Sequence, residues 1–121
     1  MRSILFIILL SILSSFSSLS AQTPQQAQQA LTDANQYCLD VIHWANENDF
    51  GVISARKAYE EVRAEWAKAV EENAVNKEEL YRIQFEAENF YHKTLYAQPR
   101  VAEAKKALKL ARSEAMKFEN Q

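Results

Sequence analysis

Apolar and small residues recur in alternating steps of three and four along most of this chain, which is the spacing of a heptad repeat. One phase runs through three stretches separated by short polar interruptions. Its positions are Leu31, Ala34, Cys38, Val41, Ala45, Val52, Ala55, Tyr59, Val62, Trp66, Ala69, Leu80, Ile83, Ala87, Phe90, Thr94, Ala97, Val101, Ala104, Leu108, Ala111, Ala115 and Phe118. This spacing gives each helix an apolar seam and predicts helices packed side by side, with Tyr59, Trp66, Phe90 and Phe118 filling the volume between small alanines.

Turn-forming residues are too scarce for a sheet protein, because the chain has one glycine and two prolines. We expect these three residues, Pro24, Gly51 and Pro99, at helix boundaries. Thr23 followed by Gln26 has the pattern of a capping box, Ser54 is a candidate cap for a second helix, and Asn76 with Glu79 for a third. The predicted helices are residues 24–48, 54–73, 77–97 and 99–119.

The spacing and the four segments predict an all-α fold, an up-down antiparallel four-helix bundle. Two alternatives stay open: a long helical hairpin, or three helices in which residues 52–97 form one long helix. The last alternative depends on the stretch from Asn73 to Asn76, because helices 2 and 3 form one continuous helix if this stretch does not form a turn.

The first residues have the order of a secretory signal peptide, with the positive Arg2 before the apolar run from Ile4 to Leu13 and serines up to Ser20. We predict that residues 1–21 are a signal peptide and that residues 22–121 are a single helical domain, exported to the periplasm or secreted. An uncleaved N-terminal anchor is the alternative. The single cysteine, Cys38, excludes an internal disulfide and lies too far along the chain to be a lipidated anchor.

The charge balance argues against nucleic acid as a partner. All 16 acidic residues follow the predicted leader, whereas Arg2, one of the 14 basic residues, belongs to it, which leaves a net charge of −3. Membrane association after cleavage is not expected, because helix 3, which is apolar on two sides, is mildly acidic, whereas the polar side of a membrane-bound helix is usually basic.

Two histidines limit the chemistry that a site in this chain can offer. Asp40 and His43 lie three residues apart on helix 1, and Glu88 and His92 lie four apart on helix 3. Imidazole and carboxylate groups can bind a transition metal, so a metal-binding bundle is the alternative function. Both histidines point away from the seam where a bundle cofactor lies, however, and Cys38 lies on that seam instead of beside His43. We therefore predict no enzyme activity and no cofactor.

Helix 3 carries a second apolar stripe beside its seam, and a helix that is apolar on two sides requires two packing partners. The stripe comprises Tyr81, Phe85, Glu88, His92 and Leu95, flanked by Tyr91 and Tyr96. Either neighbouring helices cover it within the monomer, or it binds another protein or a second copy of the chain. We predict an exported, non-enzymatic helical protein that acts by protein–protein interaction or self-association, with Tyr81, Phe85, Tyr91, His92 and Tyr96 as the partner-binding residues.

Overall fold

The computed structural model describes residues 23–120, which form four α-helices and no β-strand. The helices are α1 (Pro24–Asn48), α2 (Phe50–Glu71), α3 (Lys77–Ala97) and α4 (Pro99–Glu119). The predicted fold class, an all-α helical bundle, is confirmed. The alternative of one helix through residues 52–97 is wrong, because a turn separates α2 from α3. The predicted signal peptide lies outside the described residues.

The start of α1 is fixed by the capping box that the sequence predicts. The backbone N–H of Gln26 donates to Thr23 Oγ1 at 3.2 Å, and the N–H of Thr23 donates to Gln26 Oε1 at 3.0 Å. Each side chain thus satisfies a backbone donor of the other residue, which the first turn of a helix would otherwise leave without a partner.

The junction between α1 and α2 is shorter than predicted. Asp49 is the only residue between the two helices, and its side chain caps α2 by accepting a hydrogen bond from the Val52 N–H at 3.1 Å. The predicted cap at Ser54 is therefore wrong, and α2 begins four residues earlier, at Phe50. Gly51 lies in the first turn of α2.

The turn between α2 and α3 is built on the left-handed backbone of Asn73, whose φ is 50°. The N–H of Asn73 donates to the Val70 carbonyl and the N–H of Ala74 to the Ala69 carbonyl. These two bonds are the Schellman arrangement, which ends a helix by satisfying its last carbonyl groups. Asn76 precedes α3 but makes no side-chain capping bond, so that part of the prediction is wrong.

By their contacts the residues form two compact units, the first of which comprises residues 39–102. In this unit α2 packs against α3 along much of its length. The two helices are antiparallel, because Tyr59 stacks on Tyr91 whereas Trp66, later in α2, meets Tyr81, earlier in α3. The buried core residues of the unit are Val41, Ala45, Val52, Ala55, Ala69, Leu95 and Val101.

The second unit comprises residues 23–38 and 103–120, from α1 and α4. Its core is made almost wholly of small side chains, and its buried residues are Ala27, Ala34, Cys38, Ala104, Leu108, Ala111 and Ala115. Apart from Ala27 here and Leu95 in the other unit, every buried residue of the protein's described part belongs to the predicted heptad seam. The seam prediction is therefore confirmed for α1, α2 and α4.

In α3 the buried side departs from the heptad phase. Phe90, predicted to fill the core, is 63% exposed, whereas its neighbour Tyr91 is half-buried and Leu95 is buried. A straight helix has 3.6 residues per turn, so a repeat of 3.5 residues drifts by about 20° per heptad around its surface. Over the three heptads of α3 the drift is about 60°, and it turns the buried side in the direction from Phe90 towards Tyr91.

Candidate functional site: an aromatic stripe on α3

Four side chains of the predicted partner-binding set lie exposed along one side of α3. We call them the α3 stripe: Tyr81, Phe85, His92 and Tyr96. Tyr81 and Phe85 are each 53% exposed and Tyr96 is 42% exposed, and His92 is also exposed. Neighbouring helices of the described residues therefore leave these rings partly exposed.

The α3 stripe is displaced by about a third of a turn from the helix face that packs against α2, as the helical angle of 100° per residue requires. Two residues that the sequence grouped with the stripe differ from it. Leu95, which was expected on this side, is only 3% exposed and belongs to the core. Glu88 is half-buried between the two ends of the stripe.

Tyr91, the fifth predicted partner-binding residue, contacts the other helices of its own unit. Its hydroxyl donates to Asn46 Oδ1 on α1 at 2.6 Å. Its ring is stacked on Tyr59 of α2, with centroids 6.2 Å apart and planes 7° from parallel. Tyr91 therefore joins α1, α2 and α3, and its contacts are those of a structural residue.

Ring contacts fix both ends of the α3 stripe. At one end, Tyr81 lies 5.7 Å from Trp66 of α2 in a tilted arrangement. At the other end, the His92 ring lies 5.4 Å from Tyr91 and 6.0 Å from Tyr96. Because Tyr81, His92 and Tyr96 contact neighbouring rings, their side chains have less conformational freedom than isolated surface rings.

A charged network on the solvent side of α3 lies next to the stripe. The Arg82 guanidinium donates to both carboxylate oxygens of Glu79, at 2.6 and 3.3 Å, and to Glu86 Oε1 at 2.7 Å. Hydrogen bonding and charge attraction from Arg82 hold the pKa of Glu79 below its ordinary value. The same contacts raise the pKa of Arg82.

The candidate metal ligands are not gathered into a site. His43 Nε2 lies 3.1 Å from Glu47 Oε1 on the surface, where both side chains are mostly exposed. His92 instead belongs to the ring contacts with Tyr91 and Tyr96. Within residues 23–120, no three His, Cys, Asp or Glu side chains lie in an arrangement that could hold a metal ion, so Asp40, His43, Glu88 and His92 do not form such a cluster.

Two exposed phenylalanines were not predicted as surface features. Phe50, the first residue of α2, is 83% exposed, and Phe90 lines a shallow open groove beside Asp49 and Pro99. The position of Phe50 between the Asp49 cap and Gly51 is a sequence signal for the first turn of a helix, where side chains are often exposed. Identification of Asp49 as the cap would have predicted that Phe50 lies exposed in the first turn of α2.

Cys38 is buried on the helix seam, as its heptad position predicts. In the described part of the chain, no helix has the length and apolar character needed to cross a bilayer.

Comparison with known proteins found no matching family model, no matching curated protein and no matching solved structure.

Proposed function

We propose that this is an exported, non-enzymatic protein that acts by binding another protein chain through the α3 stripe. The observation that carries the proposal is the exposure of Tyr81, Phe85 and Tyr96 on one side of a well-packed helix. Aromatic residues are enriched in protein interfaces, where a few of them contribute most of the binding energy.

Burial of the α3 stripe by a partner would offset part of the free-energy cost of association. A half-exposed aromatic side chain leaves roughly 100 Å² open to water, and burying that area contributes about 2–3 kcal/mol. Several rings in one row therefore supply a useful fraction of the free energy that a specific complex requires. Their support by Trp66 and Tyr91 reduces the ordering cost that a flexible patch would incur.

The non-enzymatic part of the proposal rests on where the reactive groups lie. Cys38 is buried on a helix seam, His43 is paired with Glu47, and His92 contacts tyrosine rings. A nucleophile with its base in hydrogen-bond reach is the arrangement that covalent catalysis requires, and these contacts leave each group in a different environment.

Export rests on the order of charge, apolar run and small residues in the first 21 positions. It is tested by expressing the full chain and determining the N-terminus of the accumulated protein by mass spectrometry. We expect a mature N-terminus at Ala21 or Gln22 in the exported fraction. Full-length protein retained inside the cell would contradict export.

The interaction is tested by cross-linking and capture from an envelope extract with the mature protein. Phe85→Ser with Tyr96→Ser should abolish the captured species, because the pair removes two rings of the stripe. Phe90→Ser is the matched control, since Phe90 is on the same helix, is comparably exposed and lies on the opposite side. Equal capture by the wild type and the double variant would overturn the proposal.

A further inference from the structure

We propose that an exposed, basic side of α4 binds the surface of a membrane that carries anionic lipids. We call it the α4 basic side and define it by five cationic residues: Lys105, Lys106, Lys109, Arg112 and Lys117. It shares no residue with the α3 stripe and does not depend on the proposed protein interaction. The expectation that the mature chain stays off membranes rests on the acidic character of α3, and α4 has the opposite charge.

The five cations lie along one side of the helix, and all of them are exposed. At 100° per residue they fall within an arc of about 140°. Their order around the helix is Arg112, Lys105, Lys109, Lys106 and Lys117. The three acidic residues of α4, at positions 103, 114 and 119, lie outside this arc. The α4 basic side is therefore positive along its whole length, which is about 18 Å from Lys105 to Lys117.

Three of these cations are not neutralised by a carboxylate of the described residues. Within residues 23–120, Lys106, Lys109 and Arg112 form no ion pair, whereas Lys117 Nζ lies 2.7 Å from Glu114 Oε1. A surface charge of this kind acts over about 8 Å in physiological salt. The α4 basic side can therefore attract an anionic surface before it touches it.

The charge of the protein is divided unevenly between its two compact units. The unit that contains the α4 basic side, residues 23–38 and 103–120, has five basic and four acidic residues. The other unit, residues 39–102, has eight basic and twelve acidic residues. The net negative charge of the mature chain is thus a property of the second of these units, and it does not oppose an anionic partner for the first.

The α4 basic side also has exposed apolar atoms. Met116, which is 56% exposed, falls within the arc of the cations, and Leu110, which is 64% exposed, lies at its edge. The helix packs into the core through other residues: Val101, Ala104, Leu108, Ala111 and Ala115. Apolar side chains that accompany lysines on an exposed helix enter the headgroup region when the helix lies on a membrane.

The residue types favour lipid headgroups over other anions. Four of the five cations are lysines, whose ammonium groups act as point charges, whereas arginine is the residue that matches the fixed carboxylate geometry of a protein partner. The single aromatic residue of α4, Phe118, is half-buried, so this helix lacks the exposed rings on which single-stranded nucleic acids stack. Clusters of four to eight Lys and Arg residues on a helix are typical of proteins that bind anionic lipids.

The first experiment measures cosedimentation of the mature protein with lipid vesicles. We expect binding to vesicles of equal parts phosphatidylglycerol and phosphatidylcholine, and none to phosphatidylcholine alone. Raising the salt from about 0.05 M to about 0.5 M should weaken the binding at least tenfold, because salt screens surface charge. Equal binding to the two kinds of vesicle, or binding that salt does not alter, would overturn the proposal.

A pair of charge reversals tests the residues. Lys106→Glu with Lys109→Glu should weaken binding to the anionic vesicles at least tenfold, because it places negative charge in the centre of the arc. Lys57→Glu with Lys68→Glu is the matched control, since it changes the net charge equally at two exposed positions of α2. That control should bind nearly as the wild type does, and far-UV circular dichroism establishes that both variants are folded. Equal weakening by the two pairs would mean that net charge, and not the α4 basic side, determines binding.

Competition distinguishes a lipid surface from other polyanions. We expect that neither soluble polyglutamate nor duplex DNA, at the same concentration of charge, displaces the protein from the anionic vesicles. Leu110→Ser with Met116→Ser should weaken vesicle binding several-fold, because only a bilayer accepts these apolar side chains. Displacement by polyglutamate would assign the α4 basic side to an acidic protein, and displacement by DNA would assign it to nucleic acid. Either result would overturn the assignment to lipid.

Discussion

Asn73 is the residue on which the turn between α2 and α3 depends. Among residues 23–120 it is the non-glycine residue with a positive φ. Its side-chain Oδ1 also accepts a hydrogen bond from Lys77 Nζ at 2.6 Å. The left-handed region costs most residues about 1–2 kcal/mol, is easier for asparagine, and carries no such cost for glycine.

We expect Asn73→Gly to raise the free energy of unfolding by about 0.5–1 kcal/mol and Asn73→Ala to lower it by about 1 kcal/mol. Both substitutions remove the bond from Lys77, so the difference between them isolates the backbone effect. Urea unfolding followed by circular dichroism measures it. An alanine variant as stable as the glycine variant would mean that the turn does not need the left-handed conformation.

The Glu79–Arg82 contact gives a prediction for pH. The pKa of Glu79 is lowered in the folded protein, so its ionised form favours folding. That contribution is present above the unfolded-state pKa and is lost as the pH falls through the lowered value. Because both side chains are mostly exposed to water, we expect a small effect on stability.

Arg82→Gln should therefore raise the pKa of Glu79, as measured by carboxyl ¹³C chemical shifts during an NMR titration. Glu86→Gln is the control, because it leaves the two hydrogen bonds from Arg82 to Glu79 in place. The pKa of Glu79 should stay low in that control. An unchanged pKa in Arg82→Gln would contradict the assigned cause.

At the scale of the helix, the sequence predicts the ends that are marked by strong local signals. Thr23 with Gln26 marks the start of α1, and Pro99 marks the start of α4. The start of α2 was misplaced because Asn48, Asp49, Phe50 and Gly51 all have turn propensity or break the heptad phase, yet only Asp49 lies outside a helix. How few residues a junction needs depends on the backbone geometry, which residue types alone do not specify.

The stripe on α3 was predicted only in part, and the reason is the period of the helix. A phase of 3.5 residues per turn places Phe90 inside and Leu95 outside, whereas the structure has the reverse. Sequence spacing alone does not distinguish a supercoiled helix from a straight one over three heptads. The exposed rings of Tyr81, Phe85 and Tyr96 were identified because they lie far from the seam under either period.

Two alanine substitutions on α3 test this assignment. Leu95→Ala should lower the free energy of unfolding by about 2–4 kcal/mol, because it removes a buried side chain and leaves a cavity. Phe90→Ala should lower it by less than about 1 kcal/mol, although it removes more atoms, because the ring is mostly in water. Chemical denaturation measures both. A greater loss of stability for Phe90→Ala would mean that Phe90 belongs to the core, as the heptad spacing predicts.

At the scale of the whole molecule, the described residues bury mainly small side chains while several rings stay exposed, so a partner that covered those rings would add apolar burial to the folded state. A partner that binds only the folded state stabilises it in proportion to the logarithm of its concentration. If the partner is a second copy, the midpoint of thermal unfolding should rise as the protein is concentrated. In that case we expect this dependence in the wild type and in Phe90→Ser, and a much weaker one in Phe85→Ser. Differential scanning calorimetry over a hundredfold range of concentration measures it, and a midpoint independent of concentration in the wild type would mean that each chain folds without its copy.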